Sequence, residues 1–445
     1  MHWILLPSAL GLAVAGSPAG VNEVPEDARR PLAHEELLDL EGRVKALERS
    51  QGAAGGGDSK PATNEIKGVF KDGFKFETQD KRFKAQFGGR LHFDLGGVGT
   101  DDDFEAGVGH EEDGARFRRA RFFMSGEIHE LVEYKWQYDF AGGTDNKFKD
   151  VYMGLKESPV GGVRVGQFKE PFSLEEVTSS NFTTFMERAP VNALVPQRNV
   201  GIMVHDHNAS KTMTWAVGAF RDDGSDTGTN DGDGETNVTA RVTGTPWYRD
   251  EGEDLLHLGL AVSRRQGNED MLAYASKGAS GLTANNAVNT GAFGAEEADL
   301  IGAEAAWVAG PLSLQGEFVQ SSVDAIAGSD PDFSGWYAFV SYFLTGEHRV
   351  YKNTSAAFDR VQPARDYGTN GGGGAWELAL RHGNLDLTDG SIDGGELTDT
   401  SLGLTWYLNP FTKVMFNYVR EEVEPIGGGD EGTADILQMR FAFEF

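Results

Sequence analysis

The sequence predicts an all-β protein: a transmembrane antiparallel β-barrel of about sixteen strands, preceded by a short N-terminal coiled-coil helix. Apolar and polar residues alternate along most of the 445-residue chain, which is the period of a β-strand. The alternating segments are ~10 residues long, enough to cross the hydrocarbon of a bilayer when tilted. Aromatic residues recur near the segment ends, as in the girdles of membrane barrels: Trp215, Trp247, Tyr248, Trp307, Trp336, Tyr337, Trp406 and Tyr407.

Composition removes several other classes of protein. The chain has no cysteine, which excludes disulfides, thiolate nucleophiles and cysteine-ligated metals. It carries 69 acidic and 40 basic residues, and a net charge of −29 lacks the basic footprint of a general nucleic-acid binder. The longest apolar run, 3–16, is interrupted by Pro7 and is too short for a membrane-spanning helix.

The N-terminal region divides into three predicted segments before a barrel over 64–445. Residues 1–20 contain no Asp, Glu, Lys or Arg and are typical of a secretory signal peptide, although a basic start is missing. Residues 34–51 carry an apolar heptad seam, which favours a periplasmic oligomeric coil over a monomeric helix. Residues 52–63 form a Gly- and Ala-rich flexible linker. The seam residues are Leu37, Leu40, Val44 and Leu47.

Alternation defines each strand in turn. In the first strand, Phe87, Leu91 and Phe93 share one face, and Arg90 and Asp94 share the other. Sixteen such spans give an even number, as in bacterial barrels. The connection 346–373 is long, although it falls on the predicted periplasmic side of the barrel, where the other connections are short turns. It is therefore either an elaborate turn or a segment with strands that the predicted set lacks. The predicted spans are 83–96, 116–128, 131–142, 147–157, 162–169, 199–206, 212–221, 236–246, 255–265, 299–308, 311–322, 333–345, 374–386, 399–408, 411–422 and 434–445.

The polar strand faces form the wall of a lumen, and their charges predict its chemistry. These faces carry twelve bases against nine acids, a mild positive excess. Arg119 and Arg121 lie two residues apart on one face, where their guanidinium groups can bind an anion. Alternatively, such bases pair with acids on adjacent strands and hold the wall in register. Arg118 falls on the opposite face, so we expect it outside, near lipid phosphate.

Two short motifs indicate metals only weakly. His205-Asp206-His207 alternates at a strand end, where plain turn chemistry is the simpler interpretation. Asn230-Asp231-Gly232-Asp233-Gly234-Glu235 has only part of the register of a calcium loop. Hydrolase, zinc-protease and P-loop motifs do not occur, so we predict no enzyme activity, no catalytic residue, no metal site and no cofactor.

Several stretches resemble the phosphate-selective porin O and P family of Gram-negative outer membranes. The resemblance covers about 64–445 and rests on motifs in a fixed order. It implies a sixteen-stranded trimeric porin whose third extracellular loop folds into the lumen. The motifs are Arg164-Val165-Gly166-Gln167-Phe168-Lys169, Met186-Glu187-Arg188, Gly335-Trp336-Tyr337, Leu344-Thr345-Gly346-Glu347, Gly374-Ala375-Trp376-Glu377-Leu378-Ala379-Leu380-Arg381 and Leu402-Gly403-Leu404-Thr405-Trp406-Tyr407-Leu408-Asn409-Pro410.

We therefore predict an outer-membrane porin of a Gram-negative bacterium for passive diffusion of small inorganic or organic anions, including phosphate. Loop 170–198 is the predicted constriction, although its bases Lys169, Arg188 and Arg198 face four acids and form no obvious phosphate trap. Expected partners are outer-membrane lipid, lipopolysaccharide and two further copies in a homotrimer, with no nucleic acid. The predicted anion-contacting residues are Arg90, Arg119, Arg121, Lys135, Arg164, Lys169, Arg188, Arg198, Arg241, Arg265, Arg381 and Arg440.

Two alternatives stay open at this point. Acidic stretches such as 101–113 and 421–431 lie on the predicted extracellular side and favour a general or cation-preferring pore. A structural interpretation makes the barrel mainly an envelope anchor whose coil touches the cell wall.

Overall fold

The structure is a computed structural model that describes residues 65–71, 73–141, 148–221, 236–267, 269–369 and 371–445. The predicted signal peptide, coil and linker lie outside these residues, as does the motif 230–235. In the described part of the chain, no helix is long and apolar enough to span a membrane.

The described residues are mostly β-structure. The short helices are Asp102–Gly107 and Leu174–Val177, with 3-10 turns at Pro190–Leu194 and Asp250–Gly252. The strands, in chain order, are β1 (Ile66–Phe70), β2 (Phe74–Thr78), β3 (Phe83–Thr100), β4 (Gly114–Ile128), β5 (Val132–Asp139), β6 (Phe148–Leu155), β7 (Gly162–Lys169), β8 (Arg198–His207), β9 (Met213–Arg221), β10 (Asn237–Arg249), β11 (Asp254–Gln266), β12 (Met271–Leu272), β13 (Ala275–Ser276), β14 (Val288–Asn289), β15 (Phe293–Ala309), β16 (Leu312–Ala325), β17 (Asp332–Phe343), β18 (Tyr351–Lys352), β19 (Ala357–Phe358), β20 (Ala375–Asp389), β21 (Ile392–Asn409), β22 (Thr412–Glu424) and β23 (Gly432–Glu444).

Sixteen of these strands close into an antiparallel barrel. Each pairs with its neighbours along the chain, and β23 pairs with β3 from Ala434↔Thr100 to Glu444↔Arg90, which removes the open edges. Closure confirms the predicted sixteen-stranded barrel, and every predicted span coincides with a barrel strand. The main difference is length, since β15 and β21 begin earlier than predicted, at Phe293 and Ile392.

The outer face of the barrel is apolar, as the alternation predicts. Along β11, Leu258, Leu260 and Val262 are about half exposed, whereas His257 and Ala261 at alternate positions are buried. The same pattern repeats around the wall, which presents aliphatic and aromatic side chains outward. Such a surface is stable in hydrocarbon and unstable in water.

Part of the lumen is filled by a connection that folds inward. Residues 170–197 join β7 to β8 and bring Phe172, Phe185 and Val191 against the inner wall. The wall is shaped for them, because a Cβ on Gly302 would lie 2.7 Å from the Phe172 ring and one on Gly335 2.9 Å from Val191. We call this connection the inner loop. Its apolar core takes up space that an unobstructed barrel would leave to water.

The long connection at the short-turn end also folds inward. Residues 344–374 join β17 to β20 and contain only β18 and β19, which pair with each other. We call this connection the inner turn. Tyr351 and Phe358 are buried with Leu174 of the inner loop in one apolar cluster. The elaborate-turn interpretation is therefore the right one, and the described residues of the connection hold no further barrel strand.

Candidate functional site

A charged cavity of about 420 Å³ remains in the part of the lumen that the inner loop and the inner turn do not fill. Its wall comes from β3 to β10, and the inner loop and the inner turn close it from the other sides. Nine of the twelve predicted anion-contacting residues line it. They are Arg90, Arg119, Arg121, Lys135, Arg164, Lys169, Arg188, Arg198 and Arg241.

Positive charge dominates the cavity. Lys352 of the inner turn joins the nine predicted bases, so ten basic side chains line it against four acids, Asp150, Glu170, Asp206 and Asp359. The sequence predicts a smaller excess of bases over acids, because that count includes the polar faces of all the predicted strands. The folded chain gathers bases at one place, since Glu175, Glu176 and Glu187 of the inner loop do not line the cavity.

Two arginines keep unused donors beside the cavity. Arg119 is 5% exposed, and its Nε and Nη1 atoms are buried without a hydrogen-bond partner among the described residues. Arg90 donates from Nη1 to the hydroxyls of Ser179 and Ser180, at 3.3 and 3.0 Å, and its Nε also lacks a partner. Buried donors without acceptors are costly, so these two guanidinium groups keep unsatisfied hydrogen-bonding capacity.

Other bases of the wall are paired. Arg121 contacts Asp139 at 2.6 Å, and Lys135 and Arg198 contact opposite oxygens of Asp150 at 2.6 and 2.8 Å. Arg164 contacts Glu133 at 2.8 Å and stacks on the Tyr152 ring, 4.1 Å from its centroid. The Arg121–Asp139 and Lys135–Asp150 pairs link adjacent strands, as the alternative interpretation of the lumen bases expects, whereas Arg164 and Arg198 each reach an acid two strands away. A paired base still contributes its field to the cavity, reduced by its partner.

Arg118 corrects the predicted pattern. The β3–β4 register shifts between His92 and Phe93, which pair with Arg119 and Phe117. The bulge leaves Arg118 opposite no residue and turns its side chain inward, where Nε and Nη2 donate to Glu187, each at 2.9 Å. The predicted outward position is therefore wrong, because one extra residue in a strand breaks the period of two.

The acids of the inner loop anchor it to the wall. Besides Arg118, Glu187 contacts Arg440 at 2.6 Å and lies 3.7 Å from Arg119. Burial alone would raise the pKa of Glu187, but the guanidinium groups around it, those of Arg118 and Arg119 foremost, hold the pKa well below the ordinary value. At the start of the loop, Glu317 of β16 accepts the backbone N–H groups of Leu174 and Glu175, at 3.0 and 2.7 Å.

Within the loop, acids also orient two cavity bases. Glu176 lies 3.3 Å from Lys169 and 3.1 Å from Arg188. Burial opposes its charged form, but Arg188 and Lys169 lower the pKa of Glu176 below its ordinary value. The Thr178 carbonyl accepts from both bases, at 3.1 Å from Lys169 and 3.3 Å from Arg188. Glu176 thus holds Lys169 and Arg188 at positions where both line the cavity.

Three predicted contact residues lie elsewhere. Arg265 pairs with Glu170 at 3.0 Å, Arg381 with Asp399 at 3.1 Å and Arg440 with Asp94 at 2.6 Å. The inner loop's polar groups cover the last two, since Arg381 donates to the Glu187 carbonyl at 3.0 Å and Arg440 to the Met186 carbonyl. These arginines support the wall and the loop, and the cavity does not reach them.

Sequence reasoning missed Lys352, Ser179 and Ser180. Lys352 belongs to a connection that enters the lumen only by tertiary packing, and no local pattern marks it. The described residues hold no group of three His, Cys, Asp or Glu side chains that could bind a metal. Asp206 is exposed, and His207 Nδ1 lies 3.0 Å from the Asn208 carbonyl, which fits the turn interpretation of that motif.

Comparisons with known proteins give relatives over most of the chain. The family model described as "Phosphate-selective porin O and P" matches residues 86–445. "Porin O" of Pseudomonas aeruginosa is 29% identical over 419 residues, covering 84% of this chain and 91% of that protein. An "Uncharacterized protein" of Caulobacter vibrioides is 28% identical over 405 residues, covering 87% of this chain and 79% of that protein.

Solved structures share the architecture at low sequence identity. The "Anion-selective porin from Comamonas acidovorans" aligns with a TM-score of 0.51 and 14% identity, over 81% of this chain and all of that one. OmpT of Vibrio cholerae, in its trimer form, aligns with a TM-score of 0.51 and 10% identity, over 82% of this chain and 99% of that one. At these identities the likeness supports the barrel fold alone.

Proposed function

The chain belongs to the phosphate-selective porin O and P family and forms an outer-membrane porin channel of a Gram-negative bacterium, and from this premise we propose that its channel prefers small anions, phosphate among them. It is a channel and not an enzyme. The solute path runs through the charged cavity, with the inner loop as its constriction. The nine lining bases of the predicted set and Lys352 act on the passing ion.

One observation carries the proposal: ten bases against four acids line the charged cavity of the lumen. In such a confined space the field of fixed charges raises the concentration of counter-ions and repels co-ions. The unused donors of Arg119 and Arg90 add hydrogen bonds suited to an oxyanion such as phosphate. The description of the family, phosphate-selective porin O and P, supports phosphate as the first anion to test.

The acidic mouth favours the second candidate, a general or cation-preferring pore. The helix Asp102–Gly107 carries Asp102, Asp103 and Glu105 at the long-loop end, where all three are exposed. Exposed charges are screened within ~8–10 Å at physiological ionic strength. The buried bases of the cavity are screened far less, so we expect the constriction to dominate selectivity.

Reversal potential across a planar bilayer in a KCl gradient separates the two candidates. We expect chloride to be more permeant than potassium, and phosphate to block the chloride current in a saturable way. Arg119→Ala with Arg121→Ala should lower the anion-to-cation permeability ratio about ten-fold per charge, because the Coulomb factor of about three at ~6 Å in a water-like dielectric is lost for the anion and gained for the cation. Arg264→Ala is the matched control, because Arg264 lies on the outer face and is 58% exposed. Potassium selectivity of the native channel would refute the proposal.

We further propose the partners that a channel of this kind requires. The apolar outer face contacts outer-membrane lipid, and the acidic loops at the long-loop end contact lipopolysaccharide through divalent cations. The trimer form of the Vibrio cholerae neighbour supports a homotrimer, consistent with the coil predicted at 34–51. Native mass spectrometry in detergent tests this, since a mass of one chain would contradict it.

A further inference from the structure

His257 is completely buried between the barrel wall and the inner turn. Its Nδ1 atom lies 2.7 Å from the Tyr351 hydroxyl, and its Nε2 atom lies 2.9 Å from Oε1 of Glu304. One neutral tautomer satisfies both contacts, with Tyr351 donating to Nδ1 and Nε2–H donating to Glu304. The imidazole therefore joins β11 and β15 of the wall to β18 of the inner turn.

Arg241 completes the attachment from β10. Its Nη2 atom contacts Oε1 of Glu304 at 2.5 Å and donates to the Ala356 carbonyl at 3.1 Å. Around this polar centre, Leu255, Ala306 and Val308 of the wall pack with Tyr351 and Phe358 of the turn. The polar contacts select one position of the turn, since apolar packing alone is not directional.

The attached turn shapes the cavity in two ways. It places Lys352, Thr354 and Ser355 in the cavity lining. It also supports the inner loop, because the Phe358 N–H donates to Thr178 Oγ1 at 3.3 Å, and the Thr178 carbonyl accepts from Lys169 and Arg188. A path of direct contacts thus runs from His257 through the turn to two cavity bases.

We propose that His257 is a positioning residue of the channel: through Tyr351 it holds the inner turn against the cavity and so fixes the width of the pore and its affinity for anions. The effect of His257 on anion affinity rests on the proposed anion preference. His257 contacts no permeating ion in this arrangement, since it does not line the cavity, and it acts entirely through the turn.

Tyr351→Phe in the full chain tests the proposal, since it removes the hydroxyl and keeps the ring that packs on Phe358. We expect a larger single-channel conductance and an up to about five-fold rise in the phosphate concentration that half-blocks the chloride current, the equilibrium factor of one buried hydrogen bond. His257→Phe should have the same effect, and adding Tyr351→Phe to it should change little further. Tyr418→Phe is the matched control, because Tyr418 donates to Asp435 at 2.6 Å on the exposed outer face.

The unfolding temperature in detergent is measured alongside, because a rise in half-blocking concentration with native-like stability separates positioning from loss of fold. Native conductance and native half-blocking concentration in Tyr351→Phe would overturn the proposal. If phosphate does not block even the native channel, the proposed phosphate preference fails. Conductance then decides the positioning role alone, and it is refuted if Tyr351→Phe conducts like the Tyr418→Phe control.

Discussion

Glu187→Gln provides the sharpest test of how the inner loop is held. The substitution keeps the shape of the side chain and removes its charge, which sits among three guanidinium groups. In this variant Arg440 keeps its two hydrogen bonds to Asp94, both at 2.6 Å. The lost ion-pair energy therefore concerns mainly Arg118 and Arg119. Removing one partner of a buried ion pair typically lowers stability by ~3–5 kcal/mol, because the other charge stays buried without compensation.

The expected loss for this loop is smaller than that range. The Arg118 side chain is 34% exposed, so water replaces part of what Glu187 provides. We expect the attached loop to lose about 2–3 kcal/mol, which shifts the balance toward the detached loop roughly 30- to 160-fold. Because the loop occupies part of the lumen, detachment should enlarge the single-channel conductance and make it noisy.

Single-channel recording in KCl measures this, with proteolysis of the inner loop as a second assay of detachment. The matched control is Glu422→Gln, whose partner Arg420 lies on the outer face with about half of its side chain exposed. Such exposed pairs contribute ~0–1 kcal/mol, so the control should behave like the native channel. If Glu187→Gln matches the control in both assays, the ion cluster does not hold the loop.

Two further predictions follow from buried carboxylates. The pKa of Glu187 is lower in the folded loop than its ordinary value of 4.5, so the stability that Glu187 gives the attached loop is fully present above about pH 4.5 and is lost as the pH falls through the folded value. Acidification should therefore open the native channel. Glu187→Gln should lack this part of the transition in conductance. Arg265→Met removes the ion-pair partner of buried Glu170, which keeps hydrogen bonds from Asn199 and Thr239, and should lower the free energy of unfolding by ~1.5–3 kcal/mol in denaturant titrations. Adding Glu170→Gln should restore part of that loss, and an additive loss would contradict the assigned pair.

Local periodicity determined the wall of the barrel. All sixteen spans were predictable because a membrane strand must turn apolar side chains to lipid and polar ones to the lumen. Apolar and polar residues therefore alternate along each strand. The same rule placed six of the nine predicted bases that line the cavity, and the predicted constriction loop with its entry supplied Lys169, Arg188 and Arg198. The rule failed at Arg118, where a bulge adds one residue that alternation cannot register.

Tertiary structure decided how the lumen works. Counting charges could not show that Glu187 faces Arg118 and Arg440, that Arg381 supports the wall, or that Lys352 enters the cavity. These positions depend on connections that cross the lumen and pair residues far apart in the chain, as Arg440 does with Asp94. The sequence by itself determined a sixteen-stranded membrane barrel and a positive lumen, because both follow from the alternation along each strand. Only the folded chain separated the bases that line the cavity from those that hold it together, because an ion pair depends on proximity in space.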